Sequence, residues 1–452
     1  MAPTVRSFSA EFEPLDLVER FPEFYPGLLE SGGAAAAARP DSRYDILPFA
    51  SGECLRLERD GRLSGAHAGV GGFLGSLESW WRTLHWEDAP HAAPQLPFSG
   101  GWLVYMGYEL AGEIESCLKL PRSPDPIVAL ALRAPAAWLR DRDTGKAWLI
   151  AEDGAANLLS DFEHRVAQIA DAAPAAFAEF RVAEEDPEKF LAAVRGALEY
   201  TAAGDVYQTN LSRLWQAAAA GAVSPVAVYK RLRATNPGPF AAILRHGDFA
   251  VLSSSPERLV EVRAGRISTR PIAGTRPRGA TPQDDRMLIR SLLENEKERA
   301  EHVMLIDLER NDLGRVCVGG SVHVDEYMTV ESYAHVHHIV SNVSGRLRPG
   351  TSPIAVIRAL FPGGTITGCP KIRTMQVIAE LEGGGRGAYT GSIGYLNRDG
   401  SCDFNILIRT LTADGASFNF RAGAGVVADS IATQELAETR AKAEGLLRAL
   451  VQ

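Results

Sequence analysis

The sequence predicts an α+β protein built mainly on antiparallel β-sheet. Strand-like segments follow one another in pairs that short glycine-containing turns separate: FAAILRHGDFAVLSS, RLVEVRAGRISTRPI, GSIGYLNRDGSCDFNILIRTL and LTADGASFNFRAG. Turns of this kind join antiparallel neighbours. Long helices interrupt the strands near Asp284–Leu313 and Thr433–Leu450. We therefore expect α+β architecture rather than a doubly wound parallel sheet.

The N-terminal third carries strand-like segments as well: YDILPFA, GGWLVYMGYEL, PIVALALRA and AWLRDRDTGKAWLI, the last with a hairpin signal at Asp143-Thr144-Gly145. The alanine-rich stretch from Gly32 to Asp41 predicts a loop. A polar, alanine-rich stretch follows the last of these strands and predicts a helix plus linker. We therefore divide the chain into an N-terminal subdomain (1–154), a helix and linker (155–187) and a catalytic subdomain (188–452).

Composition excludes several classes of protein. The 452 residues are 46% hydrophobic, which is ample for one large or two ordinary domains. The net charge of −9, without any run of lysine or arginine, argues against nucleic acid or anionic membrane as the main partner. The five scattered cysteines lack CxxC spacing, and MAPTVRSFSAEFEP lacks the apolar core of a signal peptide. Reduced thiols in the cytoplasm are the expectation.

The stretch PGGTITGCPK, from Pro362 to Lys371, is the most informative local motif. Its glycines allow close approach to a ligand, and Pro370 suits the start of a helix. The apolar face of that helix is predicted to contain Ile372, Met375, Ile378, Ala379 and Leu381, with Gly383 at its end. A glycine turn before a helix N-terminus offers free N–H groups to an anion. The alternative is a tight loop before a surface helix.

Two helices carry acidic residues at helical spacing. Glu298 and Glu301 are three residues apart, while Glu435, Glu438 and Lys442 fall at i, i+3 and i+7, so each set shares a face. The simple alternative for each helix is a solvated face with a Glu–Lys pair. Combined with the glycine loops, the pattern indicates carboxylates from separate helices that hold Mg²⁺, which takes one or two protein carboxylates plus water and substrate oxygens.

Other signals are weaker by themselves. One histidine of the HHIVSNVSG segment is a candidate acid–base group. RAGAGVVAD, with Gly423 and Gly425, lacks the third glycine of a dinucleotide fingerprint and predicts a second close-approach loop. No GxSxG or glutaminase-type nucleophile elbow occurs.

Together these motifs resemble those of the chorismate-utilising enzymes, which include anthranilate synthase large subunits, aminodeoxychorismate synthases and the isochorismate and salicylate synthases. The resemblance is strongest over 186–452. The matching segments are GDVYQTNLSR, SSPERLV, RPIAGTRPRG, EKERAEHVMLIDLERNDLGRV, HHIVSNVSG, PGGTITGCPK, RGAYTGSIGY, ILIRT, GAGVVADS and the terminal helix. The resemblance implies two large antiparallel sheets packed as a sandwich and surrounded by helices.

The resemblance also implies roles for individual residues. Glu301 and Glu438 would hold Mg²⁺, with Glu298 and Glu435 beside them, and the metal would bind the ring carboxylate of chorismate. The enolpyruvyl side would be held by Tyr389, Arg409, Lys442 and the backbone of Gly423, Ala424 and Gly425. Thr365 would contact the region of the ring carboxylate. Glu257 would protonate the departing C4 hydroxyl, with His338 and Thr275 in the same catalytic group.

Gln208 bears on the nucleophile. It stands where the water-using isochorismate and salicylate synthases carry a base lysine, which argues for ammonia as the nucleophile. The ammonia would come from a separate class I glutamine amidotransferase subunit, because no glutaminase domain lies in this chain.

The branch of the family is the harder question. YQTNLSR, NPGPFAAIL and GGTITG resemble aminodeoxychorismate synthases, whose product leads to p-aminobenzoate and folate, and this is our expectation. Anthranilate synthase, in tryptophan synthesis, is the alternative. Ala273 stands where many aminodeoxychorismate synthases carry a nucleophilic lysine, although a second group of them carries alanine.

The segment GLLESGG, with Leu29, Glu30 and Ser31, resembles the tryptophan-pocket element of both enzymes. We expect a structural role for it in this chain. A non-catalytic, tryptophan-sensing relative is a hypothesis from another class. Retention of Arg409, Lys442 and the carboxylates argues against it.

Overall fold

The structure, a computed structural model, describes residues 3–32, 43–86, 95–169, 177–332 and 336–451. Apart from Gly32, the predicted alanine-rich loop lies outside these residues. The helices are α1 (Pro14–Arg20), α2 (Gly72–Leu84), α3 (Ala111–Ile114), α4 (Asn157–Gln168), α5 (Pro187–Ala202), α6 (Pro225–Thr235), α7 (Pro282–Glu294), α8 (Glu296–Gly314), α9 (Pro353–Leu360), α10 (Lys371–Glu382) and α11 (Ala432–Leu450).

The strands outnumber the helices among the described residues. They are β1 (Thr4–Phe8), β2 (Gly27–Glu30), β3 (Tyr44–Phe49), β4 (Cys54–Glu58), β5 (Leu63–Gly65), β6 (Gly101–Met106), β7 (Ile127–Ala134), β8 (Ala136–Asp141), β9 (Ala147–Ala151), β10 (Phe180–Glu184), β11 (Gln208–Ala219), β12 (Phe240–His246), β13 (Phe249–Ser255), β14 (Arg258–Arg263), β15 (Arg266–Thr269), β16 (Ile272–Pro277), β17 (His323–Ser332), β18 (Val336–Arg346), β19 (Gly368–Cys369), β20 (Ser392–Asn397), β21 (Cys402–Asn405), β22 (Thr410–Asp414) and β23 (Ser417–Val426).

Two large antiparallel sheets form the frame. The first has the order β1-β9-β8-β3-β2-β12-β13-β22-β23-β11-β10, with β19 beside β11. The second has the order β16-β18-β15-β14-β21-β20-β6-β7-β4-β5, with β17 beside β18. Every pairing is antiparallel, for example β11 with β23 and β6 with β20. The predicted α+β class with two large sheets is confirmed.

The predicted hairpins are present because glycine at each turn adopts the left-handed backbone that a tight antiparallel turn requires. Gly247, with a φ of 60°, joins β12 to β13, and Gly415, with a φ of 59°, joins β22 to β23. Both hairpins lie in the first sheet, and β23 places its glycines next to β11, in the third strand from the β10 edge.

Each sheet consists of one block of strands from the earlier part of the chain beside one block from the later part. In the first sheet β2 pairs with β12, and in the second β6 pairs with β20. The residues between 155 and 187 contain α4 and the edge strand β10. The proposed subdomain boundaries stay a prediction, and the sheets themselves join the two parts of the chain.

The long helix predicted near Asp284–Leu313 is two helices. Asn295, with φ −73° and ψ 110°, interrupts it, and the Asn295 side chain accepts a hydrogen bond from the Glu298 N–H at 3.0 Å. A carboxamide that caps the second helix satisfies an N–H that helix geometry leaves unpaired. The capping residue lies three residues before Glu298, so the break sets the position of the first predicted metal carboxylate.

The helix predicted after PGGTITGC runs from Lys371, with Pro370 preceding its first residue and Gly383, in the left-handed region, following its last. The predicted apolar face is partly wrong, since Ile372 is exposed and the buried positions include Thr374, Met375, Val377 and Ile378. The helix packs against α5 and β11, which face these positions. No helix of the described part is long and apolar enough to cross a membrane. All five cysteines are free.

Candidate active site

Glu257 lies in the sharp turn between β13 and β14, and three contacts fix this turn. The Ser255 hydroxyl accepts the Glu257 N–H at 3.2 Å, and the Ile406 N–H donates to the Glu257 carbonyl at 3.0 Å. The next residue, Arg258, is buried and donates two hydrogen bonds to Asp403, at 2.9 and 2.8 Å. A bidentate arginine pair resists rotation, so the carboxyl of Glu257 is held in one place.

The Glu257 carboxyl is buried, with 5% of the residue exposed. Burial raises its pKa to about 7, although a hydrogen bond from Thr365, the charge of Lys442 and a backbone hydrogen bond at Ile272 each lower it. The Thr365 hydroxyl donates to Glu257 Oε1 at 2.6 Å. A carboxyl with a pKa near 7 retains its proton in a substantial fraction of molecules at neutral pH, and such a group can act as a general acid. The structure therefore brings together the predicted residues Glu257, Thr365 and Lys442.

One predicted substrate-binding residue, Arg409, and the neighbour of another, Tyr389, sit on strained backbone. Arg409 has a φ of 54°, and Thr390, the neighbour of Tyr389, has a φ of 63°. The left-handed region is costly for such residues and is typical of functional sites. The two segments touch, since the Thr390 N–H donates to the Leu407 carbonyl at 2.8 Å. The strain thus fixes Tyr389 and Arg409 relative to each other.

The electrostatics of this pair favour an anion. Burial lowers the pKa of Arg409, while Tyr389 and Glu438 raise it. The Arg409 guanidinium forms no ion pair with any described residue. Burial also raises the pKa of Tyr389 to about 12, so its hydroxyl remains a donor at neutral pH. A desolvated guanidinium without a carboxylate partner is suited to a bidentate contact with a ligand carboxylate.

The glycines of β23 leave room beside this pair. A Cβ on Gly423 would lie 2.5 Å from the Tyr389 hydroxyl oxygen, and one on Gly425 would lie 2.4 Å from Gln208 Nε2. Ala424, between them, belongs to the buried cluster under the sheet. Lys442 Nζ donates to the Gly423 carbonyl at 3.0 Å and pairs with Glu438 at 2.5 Å. Gly423 and Gly425 thus belong to a strand rather than to the predicted loop, because β23 pairs with β11 along its length, and their role toward a ligand stays a prediction.

Gln208 begins β11 and lies against Gly425. Only 7% of the residue is exposed, and its side-chain oxygen accepts no hydrogen bond from the described residues. Gln208, which we predict to lie on the nucleophile's side of the site, therefore borders the same surface as Tyr389 and the β23 glycines. Ala273, the position of the missing lysine, pairs with Ile339 in the second sheet and presents only a methyl group.

His338 and Thr275 form a second group on β18 and β16. The Thr275 hydroxyl and His338 Nδ1 are 2.9 Å apart. Gly274, with a φ of 63°, separates Thr275 from Ala273, and a Cβ there would lie 2.7 Å from Glu298 Oε2. The histidine group therefore lies beside the first of the acidic residues on α8.

The four predicted metal carboxylates come from α8 and α11. Glu298 accepts a hydrogen bond from Arg276 at 2.9 Å. Burial raises the pKa of Glu301 to about 7; Lys297 lowers it, while Glu298, Asp429 and Glu435 raise it. Burial raises the pKa of Glu435 as well; Ser430 lowers it and Glu438 raises it. The two helices thus face each other with carboxyl groups that repel one another.

The chemistry of these groups fits a hard divalent cation, but their arrangement is not that of a formed site. Within the described residues, no three acidic, histidine or cysteine side chains converge closely enough for a common metal. Instead Lys297 pairs with Asp429 at 3.0 Å, bridging α8 to the segment before α11. Mg²⁺ binds oxygen ligands, and its charge would relieve the repulsion between these carboxylates. The assignment of the metal ligands stays a prediction.

Two residues with buried polar groups escaped the sequence interpretation. Glu309 on α8 is 4% exposed, and burial, Asp312 and Glu257 raise its pKa while Lys371 lowers it. Asn210 on β11 has a buried side-chain oxygen without a donor among the described residues. Strand alternation identifies Asn210 once Gln208 is singled out, since the residues two apart share a face.

The residues of the predicted tryptophan element line a different cavity. Leu29, Glu30 and Ser31 meet Phe240 and Tyr395 there, and neither Arg409 nor the predicted metal carboxylates nor the glycines of β23 line it. Glu30 accepts hydrogen bonds from Tyr229 at 2.8 Å and Arg233 at 3.0 Å. These contacts agree with the structural role that we expect, and a tryptophan site stays untested.

Comparisons with known proteins agree with this geometry. The chorismate binding enzyme family matches residues 61–448. Aminodeoxychorismate synthase component 1 of Bacillus subtilis (strain 168) is 42% identical over 394 residues, covering 83% of this chain and 82% of that protein. Anthranilate synthase component 1 of Aquifex aeolicus (strain VF5) is 40% identical over 382 residues, covering 80% and 76%. The crystal structure of anthranilate synthase component I from Streptococcus pneumoniae TIGR4 superposes with a TM-score of 0.79 at 32% identity, covering 89% of this chain and 92% of that one. The resemblance found in the motifs is confirmed, and the chain belongs to the chorismate binding enzyme family.

Proposed function

We propose that this chain is the aminodeoxychorismate synthase component that converts chorismate and ammonia to 4-amino-4-deoxychorismate, for p-aminobenzoate and folate synthesis. The observation that carries the proposal is the presence of three complementary groups: a buried acid, Glu257, a guanidinium without an ion pair among the described residues, Arg409, and a buried carboxamide, Gln208. Lys442 connects the groups, since its charge lowers the pKa of Glu257 while its ammonium group holds the Gly423 carbonyl. An acid, an anion site and a nucleophile site without a base are what chorismate amination requires.

Substrate binding follows from the charges. Chorismate carries two carboxylates, and the enolpyruvyl carboxylate is assigned to Arg409, the Tyr389 hydroxyl, Lys442 and the backbone of Gly423–Gly425. Because Arg409 has no ion pair among the described residues, the substrate displaces no carboxylate from it. Thr365 borders the ring carboxylate. Mg²⁺ is assigned to the four carboxylates Glu298, Glu301, Glu435 and Glu438. When bound, it would neutralise the charge of the ring carboxylate and favour departure of the C4 hydroxyl.

The net reaction replaces the C4 hydroxyl by an amino group. The lone pair of ammonia forms the C–N bond, the C4–O bond breaks, and the oxygen takes the proton of Glu257 and leaves as water. The new ammonium group then returns one proton to the Glu257 carboxylate, so atoms and charge balance. The Thr365 hydroxyl orients the acid at 2.6 Å. The His338–Thr275 pair is assigned to proton handling on the β16 side.

The ammonia is proposed to come from a separate class I glutamine amidotransferase subunit, and the enzyme is proposed to work in the cytoplasm. The name of the B. subtilis relative includes the words component 1, which supports a partner subunit. Free cysteines throughout the described chain are compatible with a reducing compartment.

Anthranilate synthase component 1 is the second candidate, and Ala273 is the observation that favours it. A lysine nucleophile at this position is absent, as it is in anthranilate synthases. Against it stand the YQTNLSR, PFAAIL and GGTITG forms of this chain.

The test is to incubate the chain with chorismate, Mg²⁺ and ammonium and to identify the product by mass and fluorescence. We expect an aminated product that retains the enolpyruvyl group, with p-aminobenzoate only after a lyase is added. The Glu257→Gln variant is the control for reaction at this site. Direct release of pyruvate and anthranilate would favour the second candidate instead. Failure to consume chorismate would reject both.

A further inference from the structure

Two buried carboxamide oxygens on β11 lack a hydrogen-bond donor among the described residues. They are Gln208 Oε1 and Asn210 Oδ1. Buried acceptors without a donor are costly and rare, so each such group calls for an explanation. Neither the anion site of Arg409 nor the acid Glu257 explains them, because carboxamide oxygens do not attract a carboxylate.

The two oxygens lie on one face of the sheet. Gln208 and Asn210 are two residues apart on a strand, and their side chains therefore share a face. The glycines of β23 lie on that face: a Cβ on Gly425 would lie 2.4 Å from Gln208 Nε2, and one on Gly423 would lie 2.8 Å from Asn210 Oδ1. The same Gly423 position is 2.5 Å from the Tyr389 hydroxyl oxygen. The pair therefore borders the surface assigned to the enolpyruvyl side.

The ligand of such a pair must donate hydrogen bonds. An amide oxygen cannot remove a proton near neutral pH, so the pair can hold a nucleophile but cannot activate one. Water that donates two hydrogens here would still need a base. Ammonia has three N–H groups and a lone pair, so two donated hydrogen bonds leave the lone pair available for attack.

We propose that Asn210 Oδ1, beside the nucleophile-side residue Gln208, accepts a hydrogen bond from ammonia and is a positioning residue for the nucleophile. The proposal rests on the proposed amination of chorismate and adds where ammonia is held. This ammonia-binding subsite has a neutral acceptor, which selects a hydrogen-bond donor without requiring charge.

The experiment measures the KM for ammonium and the KM for chorismate separately, with ammonium as the nitrogen source. Asn210→Leu keeps the approximate shape of the side chain and removes its acceptor, and Asn210→Ala serves as a second variant. Thr209→Val is the matched control, because Thr209 lies between the two residues on the opposite face and also has a buried oxygen without a partner. Thermal unfolding of each variant reports whether it is folded.

We expect either Asn210 variant to raise the KM for ammonium roughly 5- to 10-fold, the loss of one hydrogen bond. The KM for chorismate should stay within about twofold, and Thr209→Val should change neither constant. Equal increases in both constants would overturn the subsite, since Asn210 would then shape chorismate binding. An unchanged KM for ammonium in a folded Asn210 variant that still aminates chorismate would overturn it while leaving the proposed function intact. If the wild-type chain gives no aminated product, the proposed function fails first, and the subsite with it.

Discussion

The proposed active site has two halves that differ in whether their polar groups have partners. The sheet-built half consists of β11, β23, Tyr389 and Arg409, and it contains buried groups without partners among the described residues, such as Gln208 Oε1. The helix-built half consists of α8, α11 and β16. There the carboxylates are paired with cations, Glu298 with Arg276 and Glu438 with Lys442.

The two halves differ in whether their polar groups must lose an existing partner before they can bind a ligand. In the sheet half the polar groups are already removed from water and have no partner among the described residues to give up. A substrate therefore meets groups that need no rearrangement. The helix half has ion pairs that must open before its carboxylates can share a cation. Changes in the sheet half should therefore affect KM and kcat at any Mg²⁺ concentration, whereas changes in the helix half should depend on it.

The sharpest test of the helix half is removal of its carboxylates. We expect Glu301→Ala or Glu438→Ala to lower turnover by about 10³-fold or more, because several kcal/mol of charge neutralisation would be lost. Turnover is measured across a Mg²⁺ titration, and Mg²⁺ binding by calorimetry. Glu444→Ala, on α11 with an exposed side chain, is the matched control. Near-native activity of either variant at limiting Mg²⁺ would remove the assignment.

Replacement of the proposed general acid, Glu257, should give the next largest effect on turnover. Glu257→Gln removes the proton donor but retains a group that Thr365 can contact, so we expect kcat to fall about 10²-fold with little change in the KM for chorismate. Steady-state kinetics measures both constants. Glu199→Gln, at an exposed position on α5, is the control. If kcat for Glu257→Gln stayed within threefold of wild type, leaving-group protonation would have to be assigned elsewhere.

A charge placed in the sheet half should disturb its neutral acceptors. Gln208→Lys exchanges an acceptor for a donor, so we expect ammonia-dependent turnover to fall roughly tenfold. A desolvated lysine can also deprotonate water, and we expect some hydroxylation of chorismate at C2, giving isochorismate. Product analysis by mass distinguishes the two reactions. Unchanged ammonia kinetics would mean that residue 208 does not line the nucleophile's side.

The last prediction concerns how the free energy of unfolding depends on pH rather than turnover. Burial raises the pKa of Glu257 from 4.5 to about 7, so between these values the folded state binds more protons than the unfolded state. Stability contributed by this group therefore falls as pH rises from 4.5 to 7. We expect Glu257→Gln to be more stable than wild type at pH 8 by about 3 kcal/mol, and nearly equal to it at pH 4.5. Urea unfolding at both pH values measures this, and a variant less stable at pH 8 would contradict it.

The sequence predicted the parts of the molecule that depend on local chemistry. The hairpins at Gly247 and Gly415 follow from turn geometry, and the resemblance supplied Glu257 and Arg409. The break at Asn295 was missed although asparagine followed by glutamate three residues on is a capping signature. Ile372 was placed on the wrong side because the burial of α10 depends on α5 and β11 rather than on helical spacing. Asn210 was missed because the burial of its side-chain oxygen without a donor depends on the pairing of β11 with β23, which only the structure shows.

The pairing of an early strand with a late strand in each sheet also governs how the chain matures during synthesis. Strand β6 pairs with β20, and the paired residues Met106 and Ser392 are separated by roughly 290 positions. At about 5–20 residues per second, the ribosome needs some 15–60 s to deliver the partner of an already finished apolar strand. Throughout that interval the GWLVYM segment waits without its neighbour on that side. Nascent-chain holdases should therefore recognise this segment, and slow codons between the two strands should lengthen its exposure.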